Sequence, residues 1–337
     1  MIQFPVCDRC NARCLMCRRW QKDAREEISL AKIREVFSGG IFSRVEEVNL
    51  HGGEPTLRKD LAEICGIIQR SCPSLKRIWI STNGLGAERI RKRVEEILDI
   101  LNFRKLDLLE INVSIDGIGQ THDTIRGVPG GFEQSLDTLR TLQLLAKDRP
   151  LKISMGTVIQ PLNLHQLAEI GTLARTMGVS LFFQPLAFDA FFNLEDRAEL
   201  ALSAEDRGEL SRFIEERLAQ GMSPTHFFWR DFLGMMDGQK RKSPCAFDRY
   251  VFSLYPTGEV LPCSQRDWIL FGNVFDQPAE KIWFSRDARK IRERMKREVC
   301  PTCPNYCGVE FSLRKEFFTY VRFYLREKAF SRARPRR

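Results

Sequence analysis

Apolar and polar positions alternate in blocks along the first two thirds of the chain. Ile2–Val6, Glu47–Leu50, Arg77–Ile80, Leu108–Ser114, Lys152–Val158 and Ser180–Gln184 are short apolar runs that predict strands. Between them, apolar residues recur at helical spacing over Leu30–Phe37, Leu61–Arg70, Glu88–Asn102, Phe132–Ala146 and Leu164–Met177. Six such units predict an α/β fold, a parallel sheet curled into a partial (β/α)6 TIM-like barrel. Functional loops then lie at the C-terminal ends of the strands. The alternation stops near Ala187–Leu202. Ser203–Gln220 then reads as a helix, with Ser203 as N-cap and Glu205 and Asp206 in the first turn. Met222–Lys242 reads as a connector. Val251–Tyr255 and Val260–Leu261 flank the turn Pro256-Thr257-Gly258 and predict a hairpin, followed by a helix at Asp287–Arg297. The expected division is residues 1–221 for the barrel, 222–310 for a small second domain, and 311–337 for a C-terminal helix and basic tail.

With 337 residues and 43% hydrophobic content, the chain can bury one large core and a small appended one. No apolar stretch is long enough to span a bilayer, and the first cysteine arrives before a signal peptide could fit, so the expected location is cytoplasmic. Lys and Arg exceed Asp and Glu by 53 − 44 = 9, with part of the excess in the tail Arg332–Arg337. Within Phe311–Phe330, Phe317, Phe318, Tyr320, Val321, Phe323, Tyr324 and Leu325 interleave with Arg314, Lys315, Arg322 and Arg326. This pattern is expected to be a helix packed on the barrel; the alternative is a helix on an anionic membrane surface.

Eleven cysteines in a reducing compartment read as metal ligands where they cluster. Cys65 and Cys72 match no ligand spacing and are expected to be small buried hydrophobes. Cys10, Cys14 and Cys17 stand in a C-x3-C-x2-C spacing just after the first strand. Three thiolates so placed can hold three irons of a [4Fe-4S] cube, which leaves one iron open to a small molecule. A zinc knuckle is the alternative, and Cys7-x2-Cys10 alone also reads as a zinc half-site.

Four further motifs each follow a predicted strand or its loop: His51-Gly52-Gly53-Glu54-Pro55, Ser81-Thr82-Asn83-Gly84, Ser114-Ile115-Asp116-Gly117, and His122-Asp123-Thr124-Ile125-Arg126-Gly127. In this order behind the cysteine loop, the sequence resembles the radical S-adenosylmethionine (SAM) enzymes. The resemblance implies that the open iron binds the amine and carboxylate of SAM. One electron then yields a 5'-deoxyadenosyl radical, which abstracts hydrogen from a substrate carbon. It also implies site roles. Gly52, Gly53, Glu54 and Pro55 would set a backbone edge and a carboxylate against the cofactor's ammonium. Asn83, Ser114 and Asp116 would complete the cofactor site, the last two toward the ribose or methionine. Arg126 would clamp the methionyl carboxylate, with a surface ion pair as its alternative. His122 is expected to be structural. Met16 stands where many family members place an aromatic residue against the adenine.

The second cysteine group comprises Cys245, Cys263, Cys300, Cys303 and Cys307. Its layout resembles the SPASM and Twitch auxiliary-cluster modules, and most closely the shorter Twitch type of an aminocyclitol dehydrogenase. The resemblance implies one auxiliary [4Fe-4S] cluster on Cys245, Cys263, Cys300 and Cys303, with Cys307 as a replacement ligand or a bystander. A four-cysteine structural zinc site is the alternative. An auxiliary cube favours oxidation, so the expected reaction is dehydrogenation of a sugar, aminocyclitol or other small carbinol, with modification of a ribosomally made peptide as the alternative. Asp189 and Gln184 are nearby candidates for the proton acceptor. A flavodoxin- or ferredoxin-like protein would donate electrons. Nucleic acid is not expected as a partner, although a zinc-stapled nucleic-acid-binding protein is the competing reading from the charge.

Overall fold

The computed structural model describes residues 1–21, 27–187, 200–220, 225–266, 268–306 and 308–333, with side chains up to residue 325. Strands β1 (Ile2–Cys7), β2 (Glu47–Gly52), β3 (Arg77–Thr82), β4 (Leu108–Ser114), β5 (Leu151–Ile159) and β6 (Ser180–Pro185) pair in parallel in that order. They alternate with helices α1 (Leu30–Phe37), α2 (Leu61–Ser71), α3 (Ala87–Ile100), α4 (Gln120–Arg126), α5 (Gly131–Ala146) and α6 (Leu167–Thr176). This is the predicted α/β partial barrel, with boundaries displaced by a few residues at most.

Local chemistry explains the elements. In α1, Ser29 Oγ caps the Lys32 N–H at 3.2 Å, and Ile33, Val36 and Phe37 are buried on one face. Every residue of β1 is buried, as expected for a parallel strand covered on both sides. Its outward residues Ile2, Phe4 and Val6 lie under the helices, where Phe4, Phe37, Phe42 and Phe252 form a chain of ring contacts at 6.2, 4.7 and 5.2 Å. The intervening residues point into the barrel, and the same parity in the other strands sends Asn49, Trp79, Asn112, Phe182 and Gln184 to the lumen with Gln3. At the strand starts, Glu110 binds Arg77 at 2.6 Å and Lys152 at 3.6 Å, and Arg314 binds Glu47.

Beyond the barrel come α7 (Ala204–Ala219), α8 (His226–Met236), α9 (Phe247–Tyr250), strands β7 (Phe252–Leu254), β8 (Glu259–Leu261) and β9 (Gly272–Asn273), α10 (Ala279–Trp283), α11 (Arg286–Glu298), α12 (Val309–Lys315) and α13 (Phe317–Ala333). Ser203 and Asp206 close a capping box on α7. The expected connector at Met222–Lys242 is instead largely helix: α8 buries Phe227, Phe228 and Phe232. Its cover comes from α13, where Phe323 stacks on Phe227 at 4.1 Å and Tyr320 meets it edge-on at 5.4 Å. The C-terminal helix is thus packed through Tyr320 and Phe323, while Phe317, Phe318 and Leu325 remain exposed. The predicted hairpin forms, and β7 adds in parallel to the free side of β1, so one sheet runs β6-β5-β4-β3-β2-β1-β7-β8-β9. Among the described residues, no helix is long and apolar enough to cross a membrane.

Candidate active site

The loop after β1 carries Cys10, Cys14 and Cys17, and backbone contacts seat it. Gly53 N–H donates to the Cys7 carbonyl and Glu54 N–H to the Arg9 carbonyl, both at 2.8 Å. On the other side, Arg13 and Leu15 N–H groups donate to Arg126 and Ile125 at 2.9 and 2.8 Å. A Cβ on Gly53 would lie 2.1 Å from the Arg9 carbonyl oxygen, and one on Gly52, at φ +134°, 2.3 Å from that of Cys7. The two glycines therefore serve first to admit the cysteine loop, although both also border the cavity expected to take the cofactor.

All three loop cysteines line that cavity. Burial pushes their thiols up, that of Cys17 to about 12. Donors are aimed at the sulfurs: Ala12 N–H and Asn83 Nδ2 reach Cys10 Sγ at 3.4 and 3.7 Å, and an Arg126 Nη reaches Cys14 Sγ at 3.8 Å. Hydrogen bonds of this kind stabilise thiolates that carry an iron–sulfur cluster. Among the described residues, no three His, Cys, Asp or Glu side chains gather closely enough for a single metal ion. With Cys7 turned away to the Glu54 carbonyl, three sulfurs remain on the wall, which suits a cube with one open iron better than a four-ligand zinc knuckle. Cys7 is absent from the cavity wall; it is fully buried, its Sγ donates to the Glu54 carbonyl at 3.3 Å, and burial pushes its thiol to about 12.

The structure redistributes several expected roles. Glu54 is wholly buried, and its carboxylate accepts from Thr56 N–H (3.1 Å), Thr56 Oγ1 (2.6 Å), Thr82 Oγ1 (2.9 Å) and Asn83 N–H (2.7 Å). Those bonds hold the β2 and β3 ends together and set the carboxylate back from the cavity wall where it was expected to meet the cofactor's ammonium. Pro55 opens a buried 3-10 turn and likewise does not reach the cavity. Asn83 and Ser114 do line it, and Asn83 also donates to Asn11 at 2.8 Å.

Asp116 is fully buried away from the wall, ion-paired to Arg126 at 2.6 Å and accepting from Val158 N–H at 2.8 Å, so it supports Arg126 rather than the ribose. Burial works against the Arg126 charge, but Asp116 and the cysteine thiols outweigh it and hold the guanidinium protonated. Arg126 borders the cavity with its charge already shared between Asp116 and Cys14. His122 is structural, as expected: its Nδ1 accepts from Asp116 N–H at 3.2 Å, and burial, with Arg126 nearby, lowers its pKa to about 3.

In the second group, Cys245 and Cys263 pack beside Phe247, Val251 and Phe311, and Cys263 and Cys300 beside Met295 and Val299. Cys263 belongs to both sets and so links Cys245 to Cys300, and burial pushes the Cys300 thiol to about 12. Arg241 staples the segment by donating to the carbonyls of Cys303 (3.1 Å), Asn305 (2.9 Å) and Ser243 (3.0 Å). Cys307 and Asp189 lie outside the described residues.

The cavity encloses about 260 Å³ and runs from the cysteine loop down the barrel lumen, with Phe247, Ser253, Tyr255, Ser264 and Asn305 of the C-terminal region on one wall. The sequence reading missed Arg241 and the lumen residues Gln3, Asn49, Trp79 and Asn112. A signal for the lumen set exists in the polar or aromatic residues at alternate positions of otherwise aliphatic strands.

The chain belongs to the radical SAM superfamily, which its sequence matches over residues 4–174, and residues 245–307 match the SPASM iron–sulfur cluster-binding domain. It is 27% identical over 303 residues to the mycofactocin maturase MftC of Mycobacterium tuberculosis, covering 88% of this chain and 73% of that protein. It is 24% identical to the AdoMet-dependent heme synthase of Methanosarcina barkeri, over 99% of this chain and 97% of that one. The solved structure of anSMEcpe with bound AdoMet and Cp18Cys peptide shares the fold, with TM-score 0.62, 18% identity and 98% of both chains covered. The protein is thus a radical SAM enzyme with a SPASM region, and its cofactors are SAM, a SAM-binding [4Fe-4S] cluster and auxiliary iron–sulfur. The zinc-stapled nucleic-acid-binding reading gives way to this assignment.

Proposed function

We propose that this enzyme oxidises a peptide or protein side chain by two electrons. One observation carries the reading: a single cavity joins the Cys10–Cys14–Cys17 loop to a wall built from the C-terminal cysteine region. Cys10, Cys14 and Cys17 would hold the SAM-binding cluster, and Cys245, Cys263, Cys300 and Cys303 an auxiliary one. When bound, the first cluster would supply the electron that cleaves SAM to the 5'-deoxyadenosyl radical, the hydrogen-atom acceptor, and the auxiliary cluster would accept the electron left on the substrate after proton loss. The chain's own contribution is placement. Glu54 and Arg126 fix the loops that frame SAM, and Asn83 and Ser114 face it.

The maturase and the peptide-bound structure among the similar proteins support a peptide over the small sugar or aminocyclitol expected from the cysteine spacing. We assign residues 1–221 to the barrel, 222–310 to the auxiliary-cluster region and 311–337 to the C-terminal helix and tail, and place the enzyme in the cytoplasm with a flavodoxin- or ferredoxin-like donor. The test is anaerobic turnover of the reconstituted enzyme with blocked peptides. A peptide that loses two hydrogens while 5'-deoxyadenosine forms supports the reading. 5'-Deoxyadenosine released only with a polyol or a tetrapyrrole overturns it.

A further inference from the structure

The floor of the cavity is built from uncharged hydrogen-bonding groups. The register pairs Gln3 with Asn49 and Asn49 with Trp79, so these three side chains form one layer across β1, β2 and β3. Asn112 sits one step nearer the cysteine loop. Gln3, Asn49 and Asn112 are 8%, 9% and 2% exposed, and all of these residues line the cavity. Asn49 Nδ2 donates to Gln3 Oε1 at 2.9 Å, and Asn112 Nδ2 to Ser154 Oγ at 3.1 Å. Two positions stay open among the described residues: Asn49 Oδ1 and Trp79 Nε1 are buried and have no hydrogen-bond partner. A buried polar atom without a partner is costly, so a site that carries two side by side gains on receiving a group that meets both.

The layer has an aromatic side wall. Trp79 meets Phe182 edge-on at 5.8 Å. Phe182 and Asn112 both fit only because residue 156 is Gly; a Cβ there would lie 2.7 Å from Asn112 Oδ1 and 2.8 Å from the Phe182 ring. Charge is balanced around the floor. Arg77 at the strand start is held by Glu110, and Arg126 and Arg19 on the upper wall are held by Asp116 and Asp8. Among the described residues, both arginines on the cavity wall are already ion-paired, and burying an unpaired charge beside them costs far more than one hydrogen bond returns.

We infer that this layer is the substrate subsite, and that it takes a neutral side-chain group carrying both a donor and an acceptor, a carboxamide, flanked by apolar surface. Asn49 Oδ1 accepts its N–H, Trp79 Nε1 donates to its carbonyl, and Phe182 covers its face. Trp79 Nε1 can only donate, so the carbonyl of the group lies on Trp79 and its N–H on Asn49, which fixes one orientation. This inference rests on the proposed peptide chemistry and names the residue class within it.

The experiment uses the full, reconstituted enzyme with the blocked pentapeptides Ac-Gly-Ala-Xaa-Ala-Gly-NH2, in which Xaa is Asn, Gln, Asp, Glu, Lys or Leu. It measures 5'-deoxyadenosine formation and peptide mass. Asn or Gln peptides should exceed the Asp and Glu peptides by about tenfold or more in kcat/KM. Asn49→Leu should remove most of that preference. The isosteric variant Asn49→Asp should move the preference toward Lys, a gain that a misfolded protein cannot show. Turnover that favours Asp or Glu, or a preference unchanged in Asn49→Asp, overturns the subsite while leaving the peptide reading intact. No response to any peptide, with turnover of a tetrapyrrole, overturns both.

Discussion

Glu54 shows how a motif residue acts through what it holds. Its carboxylate accepts four hydrogen bonds in a site with no solvent access. Glu54→Gln replaces one acceptor oxygen with a donor facing donors, and should destabilise the cluster-free protein by about 1–3 kcal/mol, read as a lowered thermal midpoint. An unchanged midpoint with lost SAM binding would return Glu54 to direct cofactor contact. Gly53→Ala should act on the loop instead: its Cβ would displace the Arg9 carbonyl, and iron bound after reconstitution should fall. His122 gives a pH dependence with a definite sign. Folded, its pKa is lowered to about 3; unfolded, it is near 6.5, so between these values the unfolded chain binds more protons. This contribution to stability is present above pH 6.5 and is lost as pH falls toward 3. In melts from pH 7.5 to pH 5, His122→Gln should therefore lose less stability on acidification than the unaltered protein; equal slopes would assign the acid sensitivity to other groups.

Among the elements, α8 and α13 depend on each other. Phe227 stacks on Phe323 and meets Tyr320 edge-on, and Phe227→Ala should cost about 3–5 kcal/mol at that contact. Limited proteolysis should then cleave within α13 sooner, while iron at the Cys10–Cys14–Cys17 loop stays unchanged; undiminished protection would mean that other contacts hold the helix. The same pair shows what the chain pattern could and could not reveal. Leu30–Phe37 and Leu108–Ser114 were legible residue for residue, because each buries its apolar positions against neighbours in the same repeating unit. In His226–Met236, Phe227, Phe228, Phe232, Leu233, Met235 and Met236 recur at helical spacing, a local signal that reading Met222–Lys242 as a connector passes over; only the cover of this helix, which comes from far along the chain, is invisible in the sequence. The parallel pairing of β7 with β1 is equally non-local. In the site, the cysteine loop was legible because its three cysteines lie within eight residues of one another. Gln3, Asn49, Trp79 and Asn112 become one surface only once strand parity and register are known, and Glu54 shows its role only once its partners are in place.

One continuous sheet runs from the barrel strands into the β7–β8–β9 unit, so the two cysteine groups flank a single body, and iron content tests their separate roles most directly. Anaerobic reconstitution should give about eight irons per chain, and changing Cys10, Cys14 and Cys17 together to Ala should leave about four. Changing Cys300 and Cys303 to Ala should also leave about four, but with the SAM-responsive spectrum retained. The two outcomes separate because only the loop after β1 lies beside Asn83, Ser114 and Arg126. About four irons falling to none in the first variant would mean that the C-terminal cysteines carry no cluster. The electron released by substrate oxidation would then have no acceptor in the chain, and redox-neutral radical chemistry would replace the oxidative reading.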